Sequence, residues 1–168
     1  MKLHPIKVGT HHFDERPVTA TDPCYDADTW CVVRNINIKP GDYECVAWKG
    51  REYYKDFDGK RRSCQRVFVC GIYLDGNIPS EDCGEKIGEL GVDAGLAGFF
   101  QDKPDYNDDA WFELCDKVHN HDYLILDEGF FTSSGYGDGC YPVYAYKNDE
   151  GEIVALEIRF EWVLEEEE

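Results

Sequence analysis

Hydrophobic and polar positions alternate along this chain at the period of strands more often than at that of helices. From Trp30 to Ile38 the run WCVVRNINI is rich in β-branched residues, and DYECVAWK (Asp42–Lys49) follows a Pro40-Gly41 turn, so the pattern predicts a hairpin. Lys49–Arg66 is polar and basic, with Asp58-Gly59 as a turn signal, and reads as an exposed hairpin tip. RVFVCGIYL (Arg66–Leu74) is the clearest buried strand, closed by Asp75-Gly76-Asn77. A second hairpin joins YPVYAY (Tyr141–Tyr146) to IVALEIRFEWV (Ile153–Val163) through KNDEGE. In DDAWFELCDKVHN the residues Trp111, Leu114, Cys115 and Val118 recur at steps of three and four behind Asp108 and Asp109, predicting one amphipathic helix near 108–120. The expected class is α+β, mainly antiparallel sheet or two packed sheets with that helix.

Length sharpens this picture. At 168 residues one core is the default, giving a single globular domain over 1–164 and a frayed acidic tail at 165–168. No stretch near the N-terminus has the apolar core of a signal peptide and none approaches a membrane span, so the expected setting is the cytoplasm. Eight cysteines are an even number, but several sit inside apparent strands and no CxxC pair occurs, which favours buried reduced thiols over a disulfide scaffold or a zinc ribbon.

The charge changes the picture most. The net charge is −18. Residues 1–66 carry twelve Lys/Arg against ten Asp/Glu, whereas residues 67–168 carry five against twenty-five. Such a field repels phosphate backbones and anionic membranes and attracts basic surfaces, so no direct nucleic-acid or membrane partner is expected. The leading expectation is a non-enzymatic binding protein that engages a basic protein surface, as an inhibitor or a nucleic-acid charge mimic would.

Candidate chemistry gathers in three strings: TATDPCY (Thr19–Tyr25), GVDAGLAGFF (Gly91–Phe100) and FTSSGYGDGCYPVY (Phe131–Tyr144). In the last, Gly135, Gly137 and Gly139 alternate, which permits left-handed backbone or close approach, although neither a Walker ending nor a dinucleotide fingerprint is present. Asp22-x-Cys24-Tyr25 is echoed by Asp138-x-Cys140-Tyr141, and in extended backbone each pair would set a carboxylate and a sulfur on one face. The ligand-binding candidates are therefore Asp22, Cys24, Asp93, Ser133, Ser134, Gly135, Gly137, Asp138 and Cys140. Within that set Asp22, Asp93 and Asp138 form an oxygen-rich trio suited to a divalent cation, Ca²⁺ or Mg²⁺. The alternative function is accordingly a small-molecule or metal-dependent, hydrolytic site built from these loops. Ser133 and Ser134 lack the Gly-x-Ser-x-Gly context of a nucleophile. His119 and His121 at the helix end read as dipole partners, and His11-His12 as an exposed pair near a mobile terminus.

Taken together, DPCY, VDAGLAGFF and SSGYGDGCYPVYAY resemble a family of uncharacterised bacterial and phage-borne proteins of unknown function, over a span from Thr19 to Phe160. The resemblance implies no established activity and no catalytic residue. What it does imply is that the three loops lie together on one face.

Overall fold

The computed structural model describes residues 2–25, 29–104 and 108–160. The expected tail at 165–168 and the last residues of the Ile153–Val163 strand lie outside the described residues. Among the described residues eleven strands build two antiparallel sheets. The six-stranded sheet runs β1 (His4–Phe13), β4 (Gly41–Lys55), β5 (Arg61–Leu74), β11 (Ile153–Arg159), β10 (Gly139–Lys147), β6 (Glu85–Val92). The five-stranded sheet runs β3 (Val33–Ile36), β2 (Val18–Thr21), β7 (Leu96–Phe100), β9 (Gly129–Ser133), β8 (Tyr123–Ile125). A single helix among the described residues, α1 (Asp109–Val118), completes the α+β arrangement.

Strand alternation explains the layers. In β11, Leu156 and Ile158 point inward with the following Phe160, and they meet Cys45 and Ala47 of β4, Cys70 and Ile72 of β5, and Val18, Ala20, Ala97, Phe99 and Phe130 of the facing sheet in one buried core. The helix covers the far side of the five-stranded sheet, packing Leu114 and Val118 on Phe100, Leu126 and Phe131. Asp108 caps it by accepting the Ala110 N–H at 3.1 Å, and Lys117 sits in its last turn, where it complements the helix dipole.

The hairpin expected between Trp30–Ile38 and Asp42–Lys49 does not form. Only Val33–Ile36 is a strand, and it pairs with β2 in the other sheet, while β4 pairs with β1 and β5. Asn35 takes a left-handed φ of 57° within that strand, and the chain crosses from one sheet to the other before Gly41. The N-terminus is likewise not a mobile end but β1, with His12 Nδ1 2.8 Å from Asp42 Oδ1. The late hairpin and the basic hairpin stand where the pattern put them, and β4 and β5 stay paired out to Lys55 and Arg61.

Chain order also becomes spatial order. Within the six-stranded sheet, β1 and β4 come from the nearly neutral first part of the chain and β5 crosses the boundary with uncharged residues beyond Arg66, so these three occupy one half, whereas β11, β10 and β6 come from the acidic remainder and occupy the other.

Candidate functional site

The three strings do lie beside one another. Asp22 is fully buried, and its carboxylate accepts N–H bonds from Cys24 (2.8 Å), Asp93 (3.0 Å) and Ala94 (2.7 Å). Burial raises its pKa, and these three bonds together with the charge of Lys103 oppose that rise. Ser134 N–H donates to the Gly95 carbonyl (3.0 Å), and its hydroxyl donates to the Gly137 carbonyl (2.7 Å). Gly135 sits at φ +63°, where a Cβ would meet the Val67 carbonyl oxygen at 3.0 Å, so the loop packs directly on the six-stranded sheet.

These contacts make the cluster an architectural clamp. Both Asp22 oxygens are occupied by backbone donors. Asp93 contributes its backbone and leaves its side chain exposed, and Asp138 and Cys140 are exposed as well. Cys24 turns instead to Cys115 of the helix, side chain to side chain, and burial pushes its thiol up to about 12. Ser133 is half-buried, its N–H held by the Asp122 carbonyl at 2.6 Å. Among the described residues no group of three His, Cys, Asp or Glu side chains could hold a metal ion, so the Asp22, Asp93 and Asp138 trio is not assembled. All eight cysteines are free thiols.

A different constellation lies on the outer face of the six-stranded sheet. In β11, Glu157 and Arg159 occupy the positions between the inward Leu156, Ile158 and Phe160, so both face outward. Glu157 stands opposite Gly71 on one side and Tyr144 on the other. A Cβ at Gly71 would lie 2.6 Å from Tyr73 Cζ; its absence lets the Tyr73 ring lie across the strand and aim its hydroxyl at Glu157. That hydroxyl donates to Glu157 Oε2 (2.6 Å) and accepts from Trp48 Nε1 (2.8 Å). The Tyr146 hydroxyl lies 3.1 Å from Glu157 Oε1 and 3.2 Å from Asp82 Oδ1.

Arg159 completes the network. Its two terminal nitrogens grip Asp82 at 2.8 and 3.2 Å, it donates to Glu157 Oε1 at 3.1 and 3.3 Å, and it stacks on the Tyr144 ring at 3.8 Å. Burial works against the guanidinium charge, but the Asp82 bonds and the Glu157 charge outweigh it and raise the Arg159 pKa. Burial, reinforced by Glu157, raises both the Tyr73 and the Tyr146 hydroxyls, which therefore stay protonated donors at neutral pH. Asp82 is held low, first by its hydrogen bond to Arg159.

This network forms one wall of a cavity of about 460 Å³. Trp48, Val69, Tyr144 and Pro142 supply its sheet face, and Ile78 and Pro79 of the β5–β6 connection fold over it. Ile78 packs with Val46, Trp48, Tyr73, Tyr146 and Ala155 in a small apolar cluster of its own. Three carboxylates, Glu81, Asp82 and Glu157, line the cavity against the single guanidinium of Arg159. Of the ligand-binding candidates in the sequence only Cys140 lines this cavity; the rest of its lining lay hidden because β11 has the look of a purely apolar strand. Its signal was Glu157 and Arg159 two residues apart, on the face opposite the apolar set, beside Tyr144 and Tyr146 with the same spacing.

A model of the family described as "Protein of unknown function (DUF4241)" matches residues 101–158. Those residues include the SSGYGDGCYPVYAY string and the cavity residues Tyr144, Tyr146 and Glu157, whereas DPCY and VDAGLAGFF lie before them. No curated protein and no solved structure matches the chain. No helix among the described residues is long and apolar enough to cross a membrane.

Proposed function

We propose that the protein is a binding module whose outer-sheet cavity takes a basic protein segment, an arginine or lysine side chain entering it. The observation that carries this reading is the lining: aromatic and aliphatic side chains suit the methylene stem of such a residue, and the carboxylate excess suits its cationic head. An anionic ligand fits less well, because the Arg159 donors are already engaged by Asp82 and Glu157. The wall's acids and hydroxyls hold one another rather than standing as a separate nucleophile and base, which favours recognition over catalysis. The net charge of −18 adds long-range attraction for a basic partner.

Calorimetric titration with N-acetyl-arginine amide, and with the neutral, nearly isosteric N-acetyl-citrulline amide, tests the reading. Arginine should bind at least about tenfold more tightly at about 50 mM salt, and the advantage should shrink at about 500 mM as screening grows. Equal affinity for the two probes, or no dependence on salt, would overturn it.

A further inference from the structure

The basic hairpin is a strongly exposed feature that the cavity does not absorb. Beyond Trp48 the β4–β5 ladder continues to the Lys55 and Arg61 pair, and Asp56 closes the tip by accepting N–H bonds from Asp58 (3.0 Å) and Lys60 (2.9 Å). Phe57 at the tip is fully exposed, and Tyr53 and Tyr54 are largely so. The strand period sets Arg51, Tyr53 and Lys55 on one face, joined across the ladder by Arg61, whose guanidinium lies over the Tyr53 ring at 5.6 Å.

Arg62 and Arg66 are paired with Asp56 (2.9 Å) and Glu52 (2.8 Å). Arg51, Lys55, Lys60 and Arg61 have no carboxylate partner among the described residues. The base of the arm is fixed, since the Tyr136 hydroxyl of the glycine loop donates to Glu52 Oε1 at 2.8 Å and Arg66 donates to the Gly135 carbonyl at 3.2 Å.

We infer that this arm is a docking element for a second copy of the chain, its aromatic and cationic tip entering the other copy's outer-sheet cavity. The inference rests on the cavity reading above and names its partner. Charge complementarity carries it: the arm joins apolar rings to unneutralised cations, and the cavity joins an apolar lining to an excess of carboxylates. Geometry excludes the arm's own cavity. Lys55 lies seven residue steps along the ladder from Trp48, and at roughly 3.3 Å per step the tip stands about 23 Å beyond the cavity edge. A paired ribbon does not fold back on itself over that distance. Exposed aromatics on such a ribbon also mark an interaction surface rather than a solvated loop.

Sedimentation velocity on the full chain over a range of concentrations tests the inference. Each copy carries −18, so the local attraction of arm for cavity works against an overall repulsion that salt screens; dimers or larger species should form at about 150 mM salt, and the arm variants rather than the salt dependence report the contact. Phe57→Ser and the double variant Lys60→Glu/Arg61→Glu should be monomeric, with unchanged circular dichroism, because the tip supports no core. Wild type that stays monomeric throughout, or arm variants that associate like wild type, would overturn the inference. So would a monomeric wild type that binds a labelled DNA duplex through the arm, since the partner would then be nucleic acid. In each of those cases binding of N-acetyl-arginine amide to the monomer leaves the cavity reading standing, and its absence removes both.

Discussion

Two carboxylates are buried among the described residues, Asp22 and Glu157, and they are satisfied in opposite ways. Asp22 accepts only backbone N–H groups, from its own turn and from the neighbouring Asp93–Ala94 turn, and faces no open space. Glu157 accepts only side-chain donors, from Tyr73, Tyr146 and Arg159, and Tyr146 and Arg159 line a cavity with it. A carboxylate fully engaged by the main chain ties loops together and has nothing left for a ligand. One held by side chains sits in a surface that can rearrange, and its partners present rings and charges outward. The first is architecture and the second is a recognition surface.

The comparison breaks most forcefully at Asp22. Asp22→Ala removes the acceptor of three buried donors and should destabilise by about 3–5 kcal/mol in denaturant unfolding, while any fraction that folds keeps its arginine affinity. At Glu157 the single change Glu157→Ala should destabilise less, by about 2–3 kcal/mol, because Asp82 still pairs with Arg159; here arginine affinity falls as well. Replacing the pair together, Glu157→Leu with Arg159→Met, removes the ion pair but leaves the buried Tyr73 hydroxyl without its acceptor, so stability should fall by about 1–2 kcal/mol and binding should be abolished. Equal loss of binding at Asp22 and Glu157 would erase the distinction between the two sites.

The pH dependence gives the smallest effect and the finest test. The folded pKa of Asp22 is raised above its ordinary 3.8, so the folded state binds the extra proton between those values. Wild-type stability attributable to Asp22 therefore rises as pH falls toward 3.8, and the gap between wild type and Asp22→Asn should widen in that window. Asp82 is displaced the other way, its pKa lowered by Arg159. Its contribution is present above 3.8 and lost as pH falls through the lowered folded value, so the gap to Asp82→Asn should narrow below 3.8. Chemical unfolding at a series of pH values separates the two windows.

The parts of the fold legible in the sequence were those set by local pattern. The α1 spacing, the Asp75-Gly76 turn and the late hairpin each follow from side-chain period and turn residues within a few positions of one another. Which sheet a strand joins is not local. Val33–Ile36 has the composition of a β4 partner, yet it pairs with β2 in the other sheet, and the chain crosses between the sheets before Gly41. The same limit governed the sites. Turn chemistry marked Asp22, Asp93 and the glycine loop as neighbours by type, but nothing in the letters says that Asp22 would satisfy backbone donors rather than face a ligand. The Glu157 site draws on β4, β5, β10, β11 and the β5–β6 connection, and only their register brings Trp48, Tyr73, Asp82 and Arg159 together.

Trp48 offers the most direct measurement, because its indole N–H bonds Tyr73 inside the network and its ring lines the cavity. In a ¹H–¹⁵N spectrum, with its signal assigned through Trp48→Phe, the Trp48 indole peak should move saturably on titration with N-acetyl-arginine amide while those of Trp30 and Trp111 stay in place. N-acetyl-citrulline amide should leave it where it is. A Trp48 peak that does not move, or that moves equally with both probes, would contradict the account.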